Sequence, residues 1–242
     1  MNARKLILSM LAAVVGALLF ASAPALAAAP ETPETGKATG VTATSALLGG
    51  VLNPHAAGEA GTYYFAYAPR GAACNEYTAS AEVPTPGFEK ELVEPPVEVT
   101  GLEPSTLYTY CLTDRSLESE ETTYGSAKTF TTLAAPPAVE GETTSGVNST
   151  AATLEGQVNP NNQTTSCVIE YGTTTAYGTS APCEPGSLEG FGNQRVSISL
   201  KGLAPGTTHH FRIVAENAAK EKTAGTDTTV TTVPTPNSPS SG

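Results

Sequence analysis

Val97-Glu98-Val99-Thr100-Gly101-Leu102-Glu103-Pro104-Ser105-Thr106-Leu107-Tyr108-Thr109-Tyr110 lines up without a gap on Ile198-Ser199-Leu200-Lys201-Gly202-Leu203-Ala204-Pro205-Gly206-Thr207-Thr208-His209-His210-Phe211. In both copies apolar or bulky residues alternate on either side of a Gly-Leu-x-Pro turn: Tyr108, Tyr110 and Leu112 share one face, as do His209, Phe211 and Ile213. A period of two is that of a strand with one buried face, and Gly with Pro between such runs marks a turn. Working outward, Thr39 to Pro54 matches Ser145 to Pro160, and Phe130 to Leu133 matches Val230 to Val233. The spacing between copies shrinks along the chain, so the differences fall in loops, where added length costs little. Between the matched blocks Tyr63, Phe65 and Tyr67 share a face, and their counterparts are Cys167, Ile169 and Tyr171. Each repeat therefore offers about seven short strands, the pattern of a β-sandwich, in a unit long enough to close one core. Composition agrees. Charged residues make only 14%, while 23 Gly and 19 Pro favour strands joined by turns over long helices.

Both repeats resemble fibronectin type III domains, in particular those of bacterial secreted proteins. The likeness rests on Gly101 to Tyr108 and Gly202 to His209, the turn into a penultimate strand, and on Glu170-Tyr171-Gly172-Thr173-Thr174-Thr175-Ala176-Tyr177-Gly178 as third strand and turn. It implies an all-β chain of two tandem immunoglobulin-like sandwiches, with buried tyrosine-corner positions at Tyr108 and His209. Two departures stand out: the chain has no Trp, which such domains usually bury, and His209 replaces the corner Tyr. Leu48 and Leu154 are expected to fill the core instead. The expected organisation is a leader (1–27), an N-terminal linker (28–36), one domain (37–133), a proline-stiffened linker (134–138), a second domain (139–233) and a disordered tail (234–242).

Residues 1–27 read as a secretory signal peptide: Arg4 and Lys5, an apolar stretch from Leu6 to Phe20, and a small-residue site ending Ala25-Leu26-Ala27. The rest of the chain holds no segment apolar enough to span a bilayer as a helix, so the mature protein is expected to be secreted, extracellular or associated with the cell surface. Loss of Arg4 and Lys5 with the leader takes a chain of 12 basic and 23 acidic residues from −11 to −13. That charge opposes nucleic acid and anionic lipid as partners, since both are bound through Lys and Arg neutralising phosphates.

Cys74, Cys111, Cys167 and Cys183 all follow the leader, in a chain bound for an oxidising compartment. Four cysteines allow three connectivities, and each repeat owns two, so Cys74 with Cys111 and Cys167 with Cys183 need no contact between repeats. The bridges are not equivalent, because Cys111 aligns with Arg212 and Cys167 with Tyr63. No metal or cofactor is expected: no cysteine pair has zinc-hairpin spacing, and His209 and His210, adjacent on a strand, face opposite ways. His209 is expected to be a core residue hydrogen-bonded through one ring nitrogen, with His210 and His55 facing solvent. No nucleophile elbow, phosphate loop or calcium loop occurs. Glu118, Glu120 and Glu121 cluster in one loop, without the contrasting environments that paired catalytic carboxylates need.

Tyr64, Tyr77, Tyr124 and Tyr177 fall off the alternating core faces and are the candidate ligand contacts, since exposed Tyr stacks on sugars and anchors protein partners. Asn148-Ser149-Thr150 and Asn162-Gln163-Thr164 fit the glycosylation acceptor pattern. The expected function is that of a non-catalytic secreted spacer or protein-interaction and adhesion module, with a polysaccharide-binding accessory protein as the alternative. Intact-mass measurement of the exported protein is expected to give a mature start at Ala28 and no free thiol. Two alkylatable cysteines in the folded protein would overturn pairing within each repeat.

Overall fold

The computed structural model describes residues 31–52, 60–69, 71, 74, 78–84, 91–117 and 119–235. Residues 1–30, which include the expected leader, His55, Tyr77, Glu118 and residues 236–242 lie outside the described residues. Those described are all-β, with no helix.

The first repeat contains β1 (Glu34–Thr35), β2 (Ser45–Leu48), β3 (Gly50–Leu52), β4 (Gly61–Pro69), β5 (Thr78–Ala79), β6 (Val83–Pro84), β7 (Glu91–Leu92), β8 (Val97–Thr100), β9 (Leu107–Ser116), β10 (Thr122–Tyr124) and β11 (Lys128–Thr131). Its wider sheet runs β10-β9-β4-β5, with β11 also pairing β9 and β6 pairing β4. The opposing layer comes in two pieces, β1-β3-β7 and β2-β8. Pro95 and Pro96 separate β7 from β8, and proline has no N–H to give to a ladder.

The second repeat contains β12 (Ala138–Ser145), β13 (Ala151–Asn159), β14 (Thr165–Gly172), β15 (Thr179–Pro182), β16 (Gln194–Lys201), β17 (Thr208–Asn217), β18 (Lys222–Ala224) and β19 (Thr228–Thr231). Here the three-stranded sheet β12-β13-β16 is unbroken, facing β15-β14-β17-β18, with β19 also on β17. Val196 and Ser197 stand where the first repeat has its two prolines, and both pair in register with β13, opposite Gly156 and Glu155. One change of residue type thus explains why equivalent sheets differ.

Each sandwich closes its own core. Ala46, Leu48 and Leu52 from one layer meet Phe65, Tyr110 and Leu112 from the other in the first repeat. Leu154 and Val158 meet Ile169, Phe211 and Ile213 in the second. Leu48 and Leu154 are fully buried, as expected of the residues that replace the missing Trp. Aromatic packing is confined to the first core, where Phe130 stacks on Tyr108 at 5.6 Å and meets Tyr110 edge-on at 5.5 Å. Val230 takes the place of Phe130 in the second.

Three expectations need correcting. Residues 34 and 35, read as linker, form β1 against β3, and the fully buried Thr35 accepts the Leu112 N–H on its Oγ1 at 3.1 Å. The pairing is through the backbone and one hydroxyl, so no apolar run announces it. Similarly β12 begins at Ala138, the last residue assigned to the proline-rich linker. Finally, the Tyr108 hydroxyl accepts the Glu103 N–H at 2.9 Å, which is the corner bond, but His209 supplies no equivalent: its Nε2 is buried without a hydrogen-bond partner. Imidazole is too short to reach the position that a tyrosine hydroxyl occupies.

An unpaired buried polar atom is costly, and a made hydrogen bond adds about 1 kcal/mol. The variant His209→Tyr is therefore expected to stabilise the second repeat by roughly 1 kcal/mol through a bond from the Ala204 N–H. Urea unfolding followed by a probe in that repeat checks this, and a lowered midpoint would count against it.

Candidate interaction surfaces

In each repeat the wider sheet buries one face in the core, and the candidate residues lie on or beside the other, where Thr109, Cys111 and Thr113 of β9 are nonetheless buried. On the first repeat Tyr64 of β4 is in register with Thr113 of β9, which is in register with Tyr124 of β10. The two tyrosines thus flank one threonine in a row across three strands, roughly 10 Å apart along the hydrogen-bonding direction. Tyr124 is 40% exposed and Tyr64 is half-buried. Burial raises the Tyr64 phenol above its ordinary value, and the nearby Tyr124 and Glu82 add to the effect. The next row holds Thr62, Arg115 and Thr122, with Arg115 3.7 Å from Glu82. Exposed charge pairs of this kind contribute little to stability, and they leave the row polar at its edge.

The Cys74–Cys111 disulfide sits on the same outer face, since Cys111 lies between the inward Tyr110 and Leu112. Cys167–Cys183 instead belongs to the core of the second repeat. Both pairings are those that keep each bridge within one repeat, at the unequal places expected. Glu120 and Glu121 are exposed in the loop after β9.

The outer face of the second repeat is charged rather than aromatic. Arg212 of β17 is in register with Glu170 of β14 and donates to its Oε2 through Nε at 2.8 Å and Nη2 at 2.7 Å. The same guanidinium lies 4.6 Å over the Tyr177 ring, a cation–π contact. The Tyr177 hydroxyl donates to Asp227 Oδ1 at 2.9 Å, and His210 Nδ1 meets Asp227 Oδ2 at 2.9 Å. His210 faces outward as expected, but hydrogen-bonded to Asp227 rather than free in solvent. Tyr177 has φ of 58°, a conformation rare for a bulky residue, and a Cβ on Gly172 would collide with its carbonyl oxygen. Gly172 and Gly178 are therefore what let this turn close and lay Tyr177 beside Arg212. An open cleft lies beside them, lined by Glu170, Thr175, Thr179 and Ser180.

The structure brings Tyr64 and Tyr124 together and places Tyr177 in the other repeat, while Tyr77 is outside the described residues. Glu170, Arg212 and Asp227 were not singled out from sequence, because they meet only through strand pairing. The register of Glu170 opposite Arg212 was the one available signal, as opposite charges facing each other across a pair stabilise a sheet.

No protein-family model matches the chain, and no curated protein matches it. Among solved structures, it is similar to a two fibronectin type III domain segment from chicken tenascin, at 16% identity and a TM-score of 0.36, covering 84% of this chain and 100% of that one. It is also similar to the sensor domain of the anti-sigma factor RsgI4 from Pseudobacteroides cellulosolvens, at 20% identity and a TM-score of 0.33, covering 44% of this chain and 98% of that one.

Asp227 is held below its ordinary value, chiefly by the hydrogen bond from His210 and further by that from Tyr177. A carboxylate with a depressed folded value stabilises fully above its unfolded value of about 3.9, and the contribution is lost as pH falls through the folded one. Asp227→Asn is expected to lower the melting temperature near neutrality and to flatten its fall on the acid side. Melting curves of both proteins from about pH 6 to about pH 2 check this, and parallel acid limbs would argue against it.

Proposed function

We propose that the chain is a non-catalytic exported protein whose two fibronectin type III sandwiches act as an extracellular spacer or protein-interaction module. The observation that supports this reading is that each repeat closes its own core and carries its own disulfide. Modules stapled in this way suit an oxidising exterior, where disulfides persist and restrict the unfolded chain. The acidic mature surface favours partners that are neutral or basic.

Polysaccharide binding is the second reading, and the row of Tyr64 and Tyr124 favours it. Two phenol rings on one face of one sheet offer a sugar chain a platform for stacking, with Arg115 and Glu82 at its edge to meet hydroxyls. Sandwich folds serve many functions, so the choice rests on the site and not on the fold.

Co-sedimentation and pull-down of the mature protein against cell walls, insoluble polysaccharides and surface proteins of its source separate the readings. Capture of one surface protein, unaffected by Tyr64→Ala with Tyr124→Ala, is the expected result for an interaction module. Retention by a polysaccharide, abolished in that double variant, would replace it with the second reading.

A further inference from the structure

The turn between β13 and β14 carries Asn161 and Asn162, both with left-handed backbone, at φ of 53° and 61°. Asn adopts that conformation more readily than other residues with a side chain. Two such residues in succession turn their amides away from their own sandwich and toward the first repeat. Asn162 Nδ2 lies 2.9 Å from Thr106 Oγ1, 3.1 Å from the Pro104 carbonyl and 3.3 Å from Glu103 Oε2. Beside it, Gln163 Nε2 donates to Ser105 Oγ at 2.9 Å. The connecting chain is gripped as well: Asn161 Nδ2 donates to the Pro136 carbonyl at 2.6 Å, and Asn217 Nδ2 to that of Ala135 at 3.3 Å.

Both sides of this seam are held in place before they meet. On the first repeat Thr106 Oγ1 donates to the Pro104 carbonyl at 2.8 Å, and Thr132 ties down Glu103 and Thr106. On the second, Asn159 Oδ1 receives the N–H groups of Asn161 and Gly192, and Asn162 N–H donates to the Gly190 carbonyl. Prepositioned groups lose little freedom on pairing, so more of each bond survives as net stabilisation.

The internal repeat supplies a second, independent observation. At the far end of the second repeat the same frame recurs, with Thr207 Oγ1 on the Pro205 carbonyl and Thr232 Oγ1 on that of Ala204. Yet Ala204 stands in place of Glu103, and Gly206 in place of Ser105, so two of the three side-chain acceptors have no counterpart there, while Thr207 keeps the place of Thr106. In the sequence of the first repeat, His55-Ala56-Ala57 occupies the positions of Asn161-Asn162-Gln163, so the amide donors are missing in turn. The three amide donors and the complete set of acceptors, Glu103, Pro104, Ser105 and Thr106, come together where the two repeats meet.

We infer that this seam is an orientation lock: Asn161, Asn162 and Gln163 fix the second sandwich at one angle on the end of the first. Prolines in the linker limit how far the chain collapses but leave rotation about the neighbouring bonds free. The amide contacts remove that rotation and turn two modules into one rigid body. Because most of the contacts are between neutral groups, the lock holds across salt concentration.

Backbone 15N relaxation of the mature two-repeat protein tests this. In the unaltered chain both repeats are expected to report one rotational correlation time. In Asn162→Gly combined with Gln163→Ala, which keeps a residue suited to the left-handed turn, they are expected to separate into two shorter ones. Glu103→Ala with Ser105→Ala, made on the opposite side without touching that turn, is expected to shift them in the same direction. Separate correlation times in the unaltered chain, or one shared time in both variants with each repeat still folded, would overturn the lock.

Discussion

Everything in each sandwich depends on one long antiparallel pairing, β4 with β9 in the first repeat and β14 with β17 in the second. These registers run without interruption from Gly61 opposite Ser116 to Pro69 opposite Tyr108, and from Thr165 opposite Asn217 to Gly172 opposite His210. Because the side-chain period is two, a slip of one residue would send Phe65, Tyr110, Phe211 and Ile213 to the outside. Fixing the register therefore decides both the core and what the outer face displays. The tyrosine row, the Arg212 network and the position of each disulfide all follow from it.

The two repeats show how a shared frame tolerates different contents. The first fills its core with aromatic rings and completes the corner bond of Tyr108, and it carries its disulfide on the outer face. The second sets Phe211 among aliphatic residues, leaves His209 Nε2 at the corner without a hydrogen-bond partner and moves the disulfide inside. Burial is kept at these positions in both repeats while the corner hydrogen bond is not, as expected if burial dominates the stability of small sandwiches and single hydrogen bonds refine it. On the outer faces the divergence goes further, to aromatic on one and ionic on the other.

Strand identity and core were legible in the sequence because alternation is a local signal. Tyr63, Phe65 and Tyr67, with Tyr108, Tyr110 and Leu112, announce their faces without any knowledge of what they pack on. Leu48 and Leu154 were legible for the same reason. β1 was not, since Glu34 and Thr35 join the sheet through backbone bonds that leave no mark on residue type. The interrupted layer of the first repeat had a signal in Pro95-Pro96, since proline gives no N–H to a ladder. Of the candidate contacts, Tyr64 and Tyr124 were visible as tyrosines off the core face, but their meeting on one row required the register. The roles of Asn162 and Gln163 were not legible because their partners lie far off in sequence, as the separations of 56 and 58 for Thr106 and Ser105 show.

Asn162-Gln163-Thr164 has a consequence for the order of events as the chain folds. The amide nitrogen that a glycosylating enzyme would modify is the one that reaches Thr106, Pro104 and Glu103 across the seam. One nitrogen cannot carry a sugar and fill that space. Asn148, exposed and using only its Oδ1 to hold the N–H groups of Thr150 and Ala151, is under no such conflict. In a host with the enzyme, Asn162 records which came first: a folded joint shields it, and a sugar added to the emerging chain leaves the two sandwiches unjoined.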